Sequence, residues 1–235
     1  MVKVGINGFG RIGRLATRIA FLKHSGDMDI VAINTSGSMN VSGWAHLLSY
    51  DTTYRKFEKE VHFEEAKKPE EVTDEDPLIG YLLIDGRKIA ILAQKDPEKI
   101  PWGKYGADVI IESTGKFTSQ EEAGKHSVGG AKVVIISAPS KGGNVGTYVI
   151  SVNEYKGGGQ VISNSSCTTN CVAPVAAIMH SKFGIEKAAM TTIHSYTDDQ
   201  NLQDGSHKDL RRARAAAQNI VPTSTGAAIS TTSHS

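Results

Sequence analysis

The stretch SNSSCTTNC, residues 163 to 171, holds both cysteines of the chain. VISNSS reads as a strand, and CTTNCVAPVAAIMHSKFG reads as a helix closed by Gly184, which puts Cys167 in a first helical turn. Unpaired amides and the helix dipole favour negative charge there, and a thiolate carries one, so the position suits an activated cysteine. Cys171, one turn deeper beside Val172, Ala173 and Val175, reads as buried core. Two cysteines four apart on a helix have poor geometry for a disulfide, and a metal site needs more ligands than this segment offers. A cysteine nucleophile also needs a base. His194, in the β-like run MTTIHSYT, is the downstream candidate, yet a histidine at a strand end also serves purely structural ends, and spacing alone does not bring it to Cys167. Hydroxyls suited to anions occur at Ser166, Thr168, Thr197 and Thr225, the last followed by Gly226. A nucleotide loop beside such a thiol fits a dehydrogenase that works through a thiol adduct of a phosphorylated aldehyde.

The nucleotide loop is NGFGRIG, where Gly8, Gly10 and Gly13 follow a strand and open a helix. The first glycine allows the tight turn, the second lets a pyrophosphate approach the backbone, and the third lets helix and strand pack closely. The helix start adds free amides for the phosphates. A purely structural glycine turn is the competing reading. At the end of the second strand, where NAD-binding proteins usually place Asp or Glu against the ribose, the chain reads Ile33, Asn34, Thr35, Ser36, Gly37, Ser38. A carboxylate there would repel a 2′-phosphate, and hydroxyls can bond one, so NADP acceptance follows; alternatively Thr35 and Ser36 merely form a turn.

These groups need a scaffold of alternating strands and helices. VKVGIN (2 to 7), IVAIN (30 to 34), DVIIEST (108 to 114) and KVVIISA (132 to 138) are short β-branched runs, apolar on both faces, as buried parallel strands are. Between the first two, Ile12, Leu15, Ile19 and Leu22 keep helical spacing and Gly26 offers a stop, which predicts a βαβ unit. GYLLIDGRKIAILA (80 to 93) predicts a hairpin turning at Asp85 and Gly86, and hence a mixed sheet. EEAKKPEEVTDEDP (64 to 77) reads as a solvated loop, and LRRARAAAQ as a basic helix.

With 235 residues the chain needs no metal or disulfide staple. Its net charge of +1 gives no field that points to nucleic acid or an acidic membrane, and the cluster Arg211, Arg212, Arg214 is by itself only a charge run. No apolar run approaches the roughly 20 residues of a bilayer span, and the N-terminus lacks signal-peptide character, so a cytoplasmic protein is expected.

INGFGRIGR, ESTGKFT, VIISAPS, SNSSCTTNC, HSYT and DLRRARAAAQNIVPTSTGAA occur in this order. Together they resemble phosphorylating glyceraldehyde-3-phosphate dehydrogenases, from residue 1 to about residue 228. The resemblance implies an α/β chain: a Rossmann-type dinucleotide-binding domain with a largely parallel sheet over residues 1–166, then an α+β catalytic domain, incomplete, over residues 167–235. It implies an NAD(P)-dependent enzyme that oxidises glyceraldehyde 3-phosphate and captures the acyl group with inorganic phosphate. Cys167 matches the nucleophile and His194 the base. Asn7, Gly8, Phe9, Gly10, Arg11 and Ile12 match the pyrophosphate loop, and Asn34, Thr35, Lys95, Thr114, Gly115, Ser137 and Ala138 match further cofactor contacts. Ser166, Thr168, Thr225 and Gly226 match one anion site, and Thr197 with Asp199 falls in the region of the other. No metal is implied, and a homotetramer is expected of full-length members.

Departures from the family pattern carry information too. NAD-type members have Asp where Thr35 stands and Leu-Pro where Gly205 and Ser206 stand, so NADP or dual use is favoured over strict NAD. After GAA the chain reads ISTTSHS, where the family continues with further strands, an anion-site arginine and a C-terminal helix. An erythrose-4-phosphate dehydrogenase, with water resolving the acyl-enzyme, and a catalytically inactive nucleotide-binding remnant are the alternatives.

Overall fold

The computed structural model describes residues 1–232, which divide into two compact units, Met1–Cys167 and a second that begins at Thr168. In the first, β1 (Val2–Asn7), α1 (Arg11–Lys23) and β2 (Met28–Asn34) form the expected βαβ unit, with β1 and β2 parallel. There follow α2 (Val41–Ser49), a small ribbon of β3 (Tyr50–Asp51) with β4 (Arg55–Lys56), and β5 (Val61–Glu65). β6 (Leu78–Ile84) and β7 (Arg87–Leu92) make the hairpin, with Asp85 at φ 53° and Gly86 at φ 77°, the left-handed pair that a two-residue turn requires. Then come α3 (Trp102–Tyr105), β8 (Val109–Glu112), α4 (Gln120–Gly124), β9 (Val133–Ile136), β10 (Gly146–Thr147) and β11 (Val161–Ser163). Among the described residues nine strands form one sheet in the order β10-β11-β9-β8-β1-β2-β7-β6-β5. It is parallel up to β7 and antiparallel at the β7-β6-β5 edge, so it is mixed, as the hairpin predicted.

β1 sits between β2 and β8, and chain order reverses there. In a doubly wound sheet such a switch point opens a crevice at the carboxyl ends of the strands, where ligands bind. Two apolar clusters clamp the sheet: Val4 and Ile6 join the one under α1 and α2, while Ile110, Val134 and Trp102 belong to the other. Gly5, between Val4 and Ile6, faces the second cluster, and a Cβ there would lie 2.7 Å from the Trp102 ring and from Ile110 Cδ1. The missing side chain is what lets the indole seat against β1.

Helix α1 exists as predicted, but its inward face differs from the apolar spacing. Gly13, Thr17, Ala20 and Phe21 are buried, while Ile12, Ile19 and Leu22 are exposed, and His24, not Gly26, forms the C-cap. Close packing on β1 demands small residues, since a Cβ on Gly13 would press into the Gly8 carbonyl. Buried Arg18 replaces an apolar side chain by satisfying carbonyls: Nε donates to Leu48 O at 2.9 Å, and Nη1 and Nη2 donate to Arg55 O at 3.1 Å.

α5 (Cys167–Phe183) runs to Gly184, which takes φ 71° and donates its amide to His180 O. Among the described residues the second unit has no strand, and α6 (Ala227–Thr232) is its other α-helix. Among the described residues the run around His194 is therefore not a strand. LRRARAAAQ is not an α-helix either. Its backbone groups bond across a loop, the Ala213 carbonyl accepting from Gly205 N and the Ala216 amide donating to Asn201 O, leaving one 3₁₀ turn at Ala216–Gln218.

Candidate functional site

The glycine loop leaves β1 at the switch point. Gly8 takes φ 94°, and a Cβ there would lie 2.7 Å from Thr114 N, so this turn tolerates glycine alone. Gly10 is the N-cap of α1; no side chain caps the helix and its first turn holds no acid. A Cβ built on Gly10 meets nothing within 4 Å, and the same holds at Gly115. The first turn of α1 thus faces open space with its amides uncommitted to side chains, which is what a pyrophosphate requires. Phe9 is buried, and Ile12 is exposed beside the loop. Arg11 is exposed, and its Nη1 donates to Asp51 Oδ2 at 2.7 Å. The Tyr54 amide first, then Arg11 and the Thr53 amide, hold the Asp51 carboxyl below the usual carboxylate range against partial burial. Burial and the nearby Arg11 lower the Arg14 guanidinium.

Asn7 and Asn34, assigned to the cofactor, are buried and satisfied within the protein. Asn34 Nδ2 donates to Asn7 Oδ1 at 2.7 Å and to Gln94 O at 2.8 Å, and Gln94 N donates back to Asn34 Oδ1 at 2.9 Å. Their side chains fix the strand ends from below and are not presented to a ligand. Thr35 is buried too, and its hydroxyl donates to Leu92 O at 3.0 Å while accepting from Gly37 N. The proton expected to serve a 2′-phosphate is already spent on the Leu92 carbonyl of β7, which also accepts the Thr35 amide at 2.8 Å. The outward hydroxyls are those of Ser36 and Ser38, 2.8 Å apart and exposed. Lys95 is exposed directly after Gln94.

Thr114 and Gly115 lie in the loop after β8, tied to the glycine loop by Ser113, whose Oγ donates to Gly8 O at 2.7 Å and to Asn7 O at 3.0 Å. Ser137 and Ala138 follow β9; Ser137 N donates to Glu112 O at 2.9 Å, and Ala138 O accepts from Ser163 Oγ at 2.7 Å. The glycine loop, Asn34, Thr35, Lys95, Thr114, Gly115, Ser137 and Ala138 therefore all lie at the carboxyl ends of strands of one sheet. Sequence reading missed Asp51, Ser113 and Glu112; a carboxylate ending the apolar run VIIE was the one available signal.

Beyond β11, Ser165 takes φ 61°, a left-handed turn that leads into α5, of which Cys167 is the first residue. Cys167 is exposed and no acid lies in the first turn of the helix. Cys171 is exposed as well, which corrects its assignment to the core. Thr169 and Ala173 are the buried residues of α5, and Cys171 sits about 200° around the helix from Thr169. Ser166 and Thr168 flank Cys167 and are half-buried.

In the second unit His194 is exposed and its Nδ1 contacts Ser195 O at 2.6 Å. A carbonyl only accepts, so Nδ1 is the donor in this contact. Thr197 opens a turn, accepting from Gln200 N at 2.9 Å. Asp199 pairs with Arg212, and His207 Nε2 lies 3.7 Å from it. Arg211 pairs with Asp209 and Arg214 with Asp204 at 2.7 Å, so each arginine of the basic cluster has a carboxylate partner. Arg211 in turn holds the Asp209 carboxyl below its ordinary range. Thr225 Oγ1 accepts from Ala227 N at 3.2 Å and Gly226 O accepts from Ser230 N at 3.1 Å, both at the start of α6. No helix among the described residues is long and apolar enough to cross a membrane.

Comparison with known proteins matches this arrangement. The family model described as glyceraldehyde 3-phosphate dehydrogenase, NAD binding domain, matches residues 2–120, and that of the same family's C-terminal domain matches residues 166–233. Glyceraldehyde-3-phosphate dehydrogenase of Streptomyces coelicolor is 49% identical over 234 residues, covering 98% of this chain and 64% of that protein. The protein of that name from Geobacillus stearothermophilus is 48% identical over 230 residues, covering 97% of this chain and 63% of that protein. Glyceraldehyde-3-phosphate dehydrogenase B, chloroplastic, of Pisum sativum is 49% identical over 230 residues, 97% of this chain and 48% of that protein. The chain thus spans just under two thirds of these bacterial relatives and about half of the chloroplast one. With a dinucleotide loop at the switch point and a cysteine opening the helix that follows, matched by both family models, the chain belongs to the glyceraldehyde-3-phosphate dehydrogenase family.

Proposed function

We propose that this chain carries the dinucleotide-binding and thiol-bearing part of an enzyme that converts glyceraldehyde 3-phosphate and inorganic phosphate to 1,3-bisphosphoglycerate. The observation that carries the reading is Cys167 as first residue of a 17-residue helix whose first turn holds no acid. Amides at a helix start stabilise a thiolate and leave it nucleophilic. Cys167 Sγ would bond the aldehyde carbon to give a thiohemiacetal, with His194 Nε2 taking the hydroxyl proton as the carbon is oxidised to a thioester. A bound nicotinamide dinucleotide supplies the hydride acceptor. Inorganic phosphate then bonds the acyl carbon, the carbon–sulfur bond breaks, and the Cys167 thiolate is regenerated. Ser166, Thr168, Thr225 and Gly226 are assigned to one anion and Thr197 with Asp199 to the region of the other. Since Asp199 already faces Arg212, its part would be to orient that cation.

The first turn of α1, Gly10, Gly115 and the Thr114 loop would hold the dinucleotide. NADP or dual use is favoured because no carboxylate ends β2 and the Ser36 and Ser38 hydroxyls face outward. The relatives' names favour glyceraldehyde 3-phosphate over erythrose 4-phosphate. A cytoplasmic homotetramer is the matching assembly, and residues 1–166 and 167–235 the matching domains. The test is absorbance at the nicotinamide band with aldehyde, phosphate and either oxidised cofactor. Phosphate-dependent formation of reduced cofactor is expected; none from folded protein would refute the enzyme and leave the nucleotide-binding remnant.

A further inference from the structure

Beneath the dinucleotide loops lies a buried polar chain that the proposed chemistry does not use. Glu112, at the carboxyl end of β8, is level with Asn7 at the end of β1, on the two sides of the switch point. Its side chain is 1% exposed and that of His126 is 0% exposed. Two donors converge on Glu112 Oε2, Asn7 Nδ2 at 2.6 Å and His126 Nε2 at 2.9 Å. Two more reach Oε1, the Thr114 amide at 2.8 Å and the Thr114 hydroxyl. Trp102 Nε1 donates to His126 Nδ1 at 3.0 Å. An indole N–H has only a proton to give, so Nδ1 must accept and the imidazole proton sits on Nε2, facing the carboxylate. Trp102 is held in turn by the gap at Gly5. From Asn7 the chain continues through Asn34 to the main chain of Gln94, so it spans the ends of β8, β1 and β2 and the segment after β7.

A carboxylate this deep is costly unless every lone pair is used, and it brings no apolar packing in exchange. What it fixes is specific: Thr114 in the loop after β8 and Asn7, the residue before Gly8. We infer that Glu112, with its proton donor oriented by Trp102 through His126, is a positioning residue that presets the glycine loop and the Thr114 loop for the dinucleotide. The inference rests on the dinucleotide-binding reading above. Preset loops bind without first being ordered, so loosening them weakens the ligand even where the fold survives.

Glu112→Gln tests this, because either orientation of the amide turns hydrogens toward donors that the carboxylate accepts from. Binding of NADP⁺ and NAD⁺ to the full chain is measured by calorimetry, with hydrogen exchange at residues 113–116 as a second readout. Binding about tenfold weaker, or more, and faster exchange of the Thr114 amide are expected for Glu112→Gln and for His126→Phe. His126→Gln, which keeps a donor toward Glu112, is expected to restore most of the affinity. Ile84→Ala, in the core at the far end of the hairpin, serves as the control for lost stability alone. The inference is overturned if Glu112→Gln binds within twofold of the parent, if Ile84→Ala at similar thermal stability loses as much affinity, or if His126→Gln is no better than His126→Phe. If Glu112→Gln fails to fold, the two His126 variants decide. A parent chain that binds neither dinucleotide would overturn the binding reading and this inference together, whereas a binding parent with an unaffected Glu112→Gln overturns the inference alone.

Discussion

Two glycines three residues apart should respond in different ways to the same methyl group. At Gly13 a Cβ would sit well inside contact distance of the Gly8 carbonyl and 3.1 Å from Ile6 Cγ2. Helix and loop must separate by roughly 1 Å to accommodate it. Alanine in a helix is worth about 1 kcal/mol over glycine, but overpacking against backbone costs up to about 3 kcal/mol. The net loss for Gly13→Ala is therefore about 2 kcal/mol, and the melting temperature should fall by about 4–8 °C. At Gly10 the same Cβ meets nothing within 4 Å, and φ −72° suits alanine. Gly10→Ala should melt only about 2–4 °C below the parent, since alanine is about 1 kcal/mol worse than glycine at an N-cap and nothing is overpacked. Its methyl, however, fills the approach to the helix amides, so dinucleotide affinity should fall about tenfold or more. Thermal melts followed by circular dichroism, with calorimetric titration of NADP⁺, separate the two effects. A Gly10→Ala protein that binds as tightly as the parent would refute the cradle, and one that melts as early as Gly13→Ala would refute the reading of the open space.

Other outcomes follow from the same geometry. Asp51 has its carboxyl below the usual range in the folded state, so its contribution is complete above the unfolded value of about 3.9 and is lost as pH falls through the folded value. Melting temperature should therefore drop less steeply below about pH 4 in Asp51→Asn than in the parent, and equal slopes would exclude the Arg11 pair as a contributor. Thr35→Asp should weaken NADP⁺ relative to NAD⁺ by about tenfold, through charge rather than a lost hydrogen bond, because the threonine hydroxyl is committed to Leu92; an unchanged ratio removes position 35 from cofactor choice. Both cysteines are exposed, so alkylation rates compare ionisation rather than access. Iodoacetamide at neutral pH should label Cys167 many times faster than Cys171, and equal rates in a peptide map would deny the activated thiol.

Much of the scaffold was legible because its signals are local. β-branched runs gave the parallel strands, Asp85-Gly86 gave the hairpin, and the glycine spacing gave the entry to α1. What was hidden depends on partners distant in sequence. The buried face of α1 follows from contact with β1 and from Arg18 meeting the carbonyls of Leu48 and Arg55, which no helical period encodes. Thr35 was placed correctly at the end of β2, but the use of its hydroxyl is decided by Leu92 on β7, across the sheet. Cys171 sat among apolar neighbours in sequence, yet the inward face of α5 is set by Thr169 and Ala173. MTTIHSYT had strand composition, yet among the described residues it is not a strand; composition alone does not make a strand, which also needs a neighbour to pair with. The carboxylate of Glu112 ended an apolar strand in plain view, but its meaning required His126, Asn7 and Trp102 to be brought around it.

The account rests on a covalent bond at Cys167. Intact-protein and peptide mass spectrometry after mixing the chain with glyceraldehyde 3-phosphate and oxidised dinucleotide, without inorganic phosphate, observes that bond directly. An acyl adduct confined to the peptide bearing Cys167, absent in Cys167→Ser and discharged when phosphate is added, is the predicted result. A turnover-competent protein without that adduct, or with it on another residue, would contradict the mechanism.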